Sequence, residues 1–406
     1  MISVEEARSL IARHAPRPAA DTLPLFEALG CVLAEDVKSP IPMPSFDNSA
    51  MDGFAFRSED TRFAMPESPV YLPVKRTVRA GDTRQVHVER GQAVRIMTGA
   101  RMPEGADVVL PVECSKLDSL GRLIVKKTWP SGHNIRLCGE ELKKNDTVLR
   151  KGALVTPPVV GILSSLGKNA VKVFPKPRVS VIATGSELVK AGKKIVPGKI
   201  YDSNLPMVRA ALLQSGIHPV FTTRLGDSKI QTERVLIHAF NISDVVILTG
   251  GVSAGETDHV KPALKKLRTR SIFWKVSQKP GKPLYFGKKG RTLVFGLPGN
   301  PAAVFVCFYE YVYPALRRFM NYKNPDLREE FLPLDGPVKT DPEKTLFLKA
   351  AVNGSGPQQQ ASSLPKQASH MISSLAQTRG ILVVPKSAAG LERGQTALFH
   401  ALPFSD

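Results

Sequence analysis

Asp244-Val245-Val246-Ile247-Leu248-Thr249-Gly250-Gly251-Val252-Ser253-Ala254-Gly255-Glu256-Thr257-Asp258 runs from an apolar segment into a glycine turn, and the architecture of the chain follows from it. The opening run is short and β-branched, which predicts a buried strand over residues 244–248. After the glycines, Val260, Leu264 and Leu267 recur among lysines at helical spacing. A glycine-rich turn from strand to helix presents backbone N–H groups, which suit phosphate. Glu256 and Asp258 in the same turn would repel a bare phosphate. A divalent cation between acid and phosphate removes that conflict, so the stretch predicts a phosphate-plus-metal site.

The flanking sequence repeats the unit. Val179-Ser180-Val181-Ile182-Ala183 predicts a strand leading into Thr184-Gly185-Ser186-Glu187. Asp202, Ser203 or Asn204 caps a helix that ends at Gly216. Val220-Phe221-Thr222-Thr223 is the next strand, followed by Leu225-Gly226-Asp227 and a helix to about Phe240. Leu293-Val294-Phe295 then runs into Gly296-Leu297-Pro298-Gly299-Asn300-Pro301, where Asn300 can cap a helix and Pro301 takes its first position. Strands alternating with helices predict a doubly wound, mostly parallel α/β sheet over residues 177–325. Loops at the carboxyl ends of such strands form the ligand crevice, and Glu187, Asp227, Glu256, Asp258 and Asn300 all fall in them. Glu187, Asp227 and Asp258 are candidate metal ligands, because converging carboxylates raise one another's pKa unless a cation joins them.

Outside this region the chain reads as two β domains and a linking segment. Ser3-Val4-Glu5-Glu6 is a capping box, and Val4, Ala7, Leu10 and Ile11 form one apolar helical face. A short helix or strand is expected near residues 25–34, and a helix near 157–166 with proline in its first turn. Residues 1–45 with 147–176 make the linking domain, and 46–146 an inserted domain of short alternating strands. That inserted domain carries polar loops at Asp47-Asn48-Ser49-Ala50-Met51-Asp52-Gly53, at Met97-Thr98-Gly99-Ala100 and at Asn134-Ile135-Arg136. Residues 326–406 form a C-terminal β domain, in which the low-complexity residues 354–360 predict a hairpin tip.

Composition narrows the class. The 406 residues allow several domains, and 42% hydrophobic residues allow full cores. No stretch approaches the roughly 20 apolar residues of a membrane span, and the first residues do not read as a signal peptide. Cys31, Cys114, Cys138 and Cys307 lack metal-ligand spacing. A cytoplasmic protein with no membrane partner is expected. The net charge of +20 raises nucleic acid as a partner, but its 56 basic residues are dispersed and not interleaved with aromatics. A surface that attracts small polyanions fits the same charge, and no nucleic-acid partner is expected. Trp274-Lys275-Val276-Ser277-Gln278-Lys279-Pro280-Gly281-Lys282-Pro283 gathers three lysines on backbone stiffened by proline, which favours anion binding.

These motifs, in this order, resemble the MoeA-type molybdopterin molybdenumtransferases, a family that includes the gephyrin E domain. The resemblance rests on residues 46–53, 97–106, 134–136, 184–188, 201–204, 250–258, 279–283 and 296–301 and spans nearly the whole chain. It implies an elongated homodimer of four-domain subunits that inserts molybdenum from molybdate into adenylylated molybdopterin, with Mg²⁺, releasing AMP. By motif position, Asp52 and Thr98 from the partner subunit, with Glu187, Asp227, Asp258, Lys275 and Lys279, would be catalytic. Asp47, Asn48, Ser49, Arg136, Gly250, Gly251, Ser253, Gly255, Glu256, Lys282, Pro298, Gly299, Asn300 and Ser369 would bind substrate. The pathway's adenylyltransferase and molybdenum-cofactor acceptor proteins would be partners. Two departures stand out: Glu141 replaces a usual aspartate, and Lys344 and Lys349 replace a usual pair of arginines. The alternatives are the adenylyltransferase itself, whose fold resembles the α/β domain alone, and a scaffold or anchoring protein on the same fold.

Overall fold

The computed structural model describes residues 1–252, 259–387 and 389–404. Ser253, Gly255, Glu256 and Asp258 therefore lie outside the described residues. The chain divides into two compact units, one of Met1–Ala34, Gly152–Val160 and Asn169–Asp406, the other of Glu35–Lys151 and Gly161–Lys168.

In the first unit a six-stranded sheet has the order Phe221–Leu225, Val179–Thr184, Val245–Thr249, Thr292–Leu297, Tyr285–Lys289, Arg270–Trp274. The first four strands pair in parallel, with Val181 opposite Ile247 and Ile247 opposite Phe295. The last two pair antiparallel, an addition that the repeat in the sequence does not signal. Alternate residues serve opposite faces, as the two-residue period of a strand requires. Val179, Val181, Val245, Ile247 and Phe295 join the core with the helices Val4–His14, Asn204–Gln214 and Pro301–Cys307. Ile182, Val246, Leu248 and Val294 pack with Lys229–Ile242 and Val260–Lys266 on the other face. The sheet is covered on both sides, which is why its strands read as continuous apolar runs.

Helix starts follow local chemistry. Ser3 Oγ accepts from the Glu6 N–H at 3.1 Å, as the capping box predicts. At Asn204–Gln214 it is Asp202 that caps, its Oδ1 accepting from Leu205 N at 3.1 Å. Pro301–Cys307 continues through a π turn, Phe308–Val312, into Tyr313–Phe319, and all five residues of that turn are buried. Residues 25–34 form turns and the two-residue strand Val32–Leu33 rather than a regular helix. Lys289, at the end of the strand Tyr285–Lys289, is tied down: its Nζ donates to Leu267 O at 3.0 Å and lies 5.0 Å from the Phe240 ring centre.

The C-terminal sheet belongs to the same unit, in the order Gln278–Lys279, Thr345–Asn353, Gly380–Val384, Thr396–Ala401, Arg328–Pro333. Its first strand comes from the lysine segment, so that segment is an edge of the C-terminal sheet. Residues 354–360 join Thr345–Asn353 to Gln360–Ser363 as an antiparallel hairpin.

The second unit is built on a five-stranded sheet, ordered Val108–Pro111, Gly53–Phe56, Ala93–Ile96, Val70–Val78, Arg122–Val125. Phe54, Phe56, Leu72 and Leu110 fill one face, and Ala55, Val94, Ile96 and Val109 the other. Among the described residues no helix is long and apolar enough to cross a membrane.

Candidate functional site

Two cavities meet at the carboxyl ends of the parallel strands. The first, about 560 Å³, is bordered by Thr184, Glu187, Asp227, Gly250, Gly251 and His370, together with Gly299 and Asn300. The second, about 520 Å³, is bordered by Lys279, Lys282, Lys344, Pro298 and Ser369, again with Gly299 and Asn300. One is acidic and one basic, and they share the loop ahead of Pro301–Cys307.

The acidic cavity owes its floor to two glycines. Gly250 has φ +78° and Gly251 φ +63°, conformations that side chains other than glycine's rarely adopt. A Cβ on Gly250 would stand 2.5 Å from Thr184 O, and one on Gly251 2.6 Å from both Thr184 Oγ1 and Val260 Cγ2. The Thr184-Gly185 and Gly250-Gly251 pairs thus interlock. Glu187 and Asp227 are exposed at the rim of the same cavity. Among the described residues no three His, Cys, Asp or Glu side chains converge as a metal site. Asp258, the third expected carboxylate, lies outside those residues.

On the basic side, Asn300 takes the expected N-cap position ahead of Pro301–Cys307, but its side chain makes no capping hydrogen bond. Its Nδ2 donates instead to Ser369 Oγ at 2.8 Å, while the Ser369 carbonyl accepts from Ala302 N at 3.0 Å. The C-terminal domain's loop thus satisfies the helix start, and Asn300 is spent holding that loop. The two lysines in the arginine positions separate. Lys344 borders the cavity, but Lys349 is buried and its Nζ donates to Met371 O at 3.2 Å and Ala368 O at 3.5 Å. Burial without a carboxylate pulls the Lys349 ammonium below its ordinary pKa. Lys275 sits apart from the other two lysines of its segment. It does not border either cavity with Lys279 and Lys282; its Nζ lies over the Trp274 ring, 4.1 Å from the centre, on backbone with φ +74°.

In the second unit, Asp52 and Thr98 are one constellation. Asp52 Oδ1 accepts from Thr98 N and Thr98 Oγ1, both at 2.7 Å. The backbone N–H of Thr98, then its hydroxyl, hold the Asp52 carboxyl below the usual range. Asp47 Oδ1 accepts from Cys138 N at 2.7 Å. Asn48–Ser49 pairs antiparallel with Ile135–Arg136, so Arg136 is opposite Asn48. Asn48 and Ser49 are buried and donate to Phe46 O and Met51 O within their own loop. They build the loop, and Asp47, Asp52, Thr98 and Arg136 are its outward polar groups. Glu141 is exposed, its N–H donating to Met43 O at 3.1 Å.

Descriptions of the MoeA N-terminal region (domains I and II), a probable molybdopterin-binding domain and the MoeA C-terminal region (domain IV) match residues 2–167, 180–318 and 332–402. Molybdopterin molybdenumtransferase 2 of Mycobacterium tuberculosis is 36% identical over 404 residues, covering 97% of this chain and 98% of that one. The chain belongs to the MoeA family of molybdopterin molybdenumtransferases. The Haemophilus influenzae molybdopterin molybdenumtransferase is 35% identical over 418 residues, covering 100% of this chain and 99% of its own. A crystal structure of a molybdopterin biosynthesis MoeA protein from Pyrococcus horikoshii OT3 superposes with TM-score 0.75 at 30% identity, covering 99% of this chain and 100% of that chain.

Residues outside the expected catalytic and substrate-binding set also border or support the cavities. Lys344, a departure from the family pattern, and His370, which stands in no motif, each border a cavity. Asp202 is buried and paired with Arg224 Nε at 2.6 Å, and Asn204 Nδ2 donates to Gly299 O at 2.7 Å, tying the helix Asn204–Gln214 to the shared loop. The Tyr201-Asp202-Ser203-Asn204 motif was the available signal for both.

Proposed function

We propose that this enzyme inserts molybdenum from molybdate into adenylylated molybdopterin, in a Mg²⁺-dependent reaction that releases AMP. The observation carrying this reading is the sharing of Gly299 and Asn300 by an acidic and a basic cavity. The basic cavity offers Lys279, Lys282 and Lys344 to an oxyanion of molybdate's class. The acidic cavity offers backbone glycines to a phosphate, with carboxylates at its rim. A pterin nucleotide held in the second would present its dithiolene toward an anion held in the first.

Glu187 and Asp227 suit magnesium as a donor set, because that ion is held by one or two carboxylates together with substrate phosphates and water. Asp258 would join them. The ion would neutralise charge on the phosphoanhydride as it breaks. The chain's own share is positioning: lysines fix the oxyanion, glycine N–H groups fix the phosphates, and charge stabilisation does the rest.

The enzyme works as a cytoplasmic homodimer, in which Asp52 and Thr98 of a second copy complete the site. The exposed carboxylate of Asp52, kept anionic by its two Thr98 donors, supports that role. The adenylyltransferase upstream and the apoenzymes downstream are its partners, since the labile product calls for transfer.

The test supplies adenylylated molybdopterin with and without molybdate and follows AMP, for the wild type and Asp227→Ala. AMP release that requires molybdate, and falls at least about 100-fold in the variant, is the expected result for a lost charge-stabilising group. AMP release indifferent to molybdate would sink the insertion reading; an unaffected variant would sink the site.

A further inference from the structure

Beneath the turn carrying Lys279 and Lys282 lies Gln278, a glutamine with no exposed surface. Its Oε1 accepts from the Tyr311 hydroxyl. Its Nε2 donates to Pro280 O at 3.1 Å and reaches Cys307 Sγ at 3.6 Å. Tyr311 is itself buried, in the π turn Phe308–Val312 at the centre of the first unit's core. A buried amide is costly unless hydrogen-bonded, so one bonded at both ends has a single orientation.

The turn is pressed onto this pair. Gly281 has φ +93°, and a Cβ there would stand 2.5 Å from Cys307 Sγ and 2.6 Å from Gln278 Nε2. On the other side, Gln278 is opposite Thr345, the residue after Lys344, in the parallel pairing with Thr345–Asn353. The backbone that carries Lys279 and Lys282 therefore refers to one buried side chain, while Lys344 precedes the residue paired with the Gln278 backbone. Lysine heads sit on long flexible stems, so their reach is set by where the backbone holds them.

We propose that Gln278, oriented by Tyr311, is a positioning residue that sets the oxyanion affinity of the basic cavity. It fixes the backbone of residues 279–282 and thereby the approach of Lys279 and Lys282 to the anion. This rests on the reading of that cavity as the molybdate pocket.

The experiment is equilibrium dialysis of molybdate against the full chain, for wild type, Gln278→Met, Tyr311→Phe and the double variant. Methionine keeps the length of glutamine and removes both polar ends. Circular dichroism confirms folding at the dialysis temperature. Each single variant is expected to bind molybdate about tenfold more weakly, the equivalent of one net hydrogen bond's worth of order. The double variant is expected to bind no more weakly than Gln278→Met, because the tyrosine acts only through the glutamine. General loosening of the core would make the two losses add. A folded single variant with wild-type affinity, or additive losses, overturns the positioning role. Wild-type protein that fails to bind molybdate overturns the reading of the cavity instead. If Gln278→Met does not fold, Tyr311→Phe decides alone.

Discussion

Glu310→Gln removes one charge from the core without changing its volume. The Glu310 side chain is 1% exposed and its carboxylate meets Arg8 and His400, whose Nδ1 lies 2.9 Å from Oε1. Burial pushes the carboxyl up, but His400 and then Arg8 outweigh it, and the group is held below the usual carboxylate range. Glutamine would leave the guanidinium and the imidazole facing an amide. Breaking a buried ion pair from one side costs about 3–5 kcal/mol, and Arg8, 31% exposed, keeps enough water to favour the lower figure. We expect a loss of about 3 kcal/mol in urea unfolding at neutral pH. Trp274 lies in the first unit and Trp129 in the second, and they are the two tryptophans of the chain, so a Trp129→Phe background lets fluorescence report on the first unit alone. The sign with pH is fixed by the depressed pKa: the stabilisation is present above the unfolded value and lost as pH falls through the folded one. Protonated Glu310 then resembles glutamine, and the difference between wild type and variant shrinks in acid. A loss under about 1 kcal/mol, the scale of a surface pair, or a gap unchanged into acid, would refute the network.

Gly251→Ala places a Cβ on Val260 and demands a left-handed backbone, so it should cost about 2–3 kcal/mol in the same unfolding assay; a neutral result contradicts the interlocked floor. Thr98→Val removes one of two donors to Asp52, and its carboxyl pKa, followed by NMR titration, should rise toward the ordinary value while keeping the share due to the backbone N–H. No movement would show that the hydroxyl is not a partner in solution. Lys349→Met unties the carbonyls of Ala368 and Met371 and should speed hydrogen exchange at the Ala302 amide, which donates to Ser369 O; unchanged protection there would mean the loop is held by other contacts.

The α/β sheet was legible because its strands are buried on both faces and its turns are punctuated by glycine. Val245–Thr249 and Thr292–Leu297 read directly as apolar runs, and the period-two burial of the two faces needs nothing beyond sheet geometry. The antiparallel edge was less legible. Arg270–Trp274 is only partly buried and Tyr285–Lys289 ends in lysines, so neither carries the apolar signature of the central strands. The π turn was not legible, since Phe308–Val312 is mostly aromatic and apolar like the helices around it, and its one charge, Glu310, does not mark a change of helical period.

For the site, residue type and loop position were readable, but partners were not. Glu187, Asp227, Gly250, Gly251 and Asn300 reach one cavity because all follow strands of one parallel sheet, and that rule operates on sequence order. Lysines obey no such rule. Lys275, Lys279 and Lys282 are close in sequence, yet residue 275 has left-handed backbone and its ammonium lies against Trp274, while the other two border the cavity. Lys344 immediately precedes the strand Thr345–Asn353 and Lys349 lies within it, and burial distinguishes a lysine at the cavity from a tie to the loop of Ser369. An ammonium can end on two carbonyls in a dry interior, whereas a guanidinium brings five donors that would need partners. The lysine at 349 therefore ties down the loop that carries Ser369, and Lys279, Lys282 and Lys344 are the lysines that border the cavity.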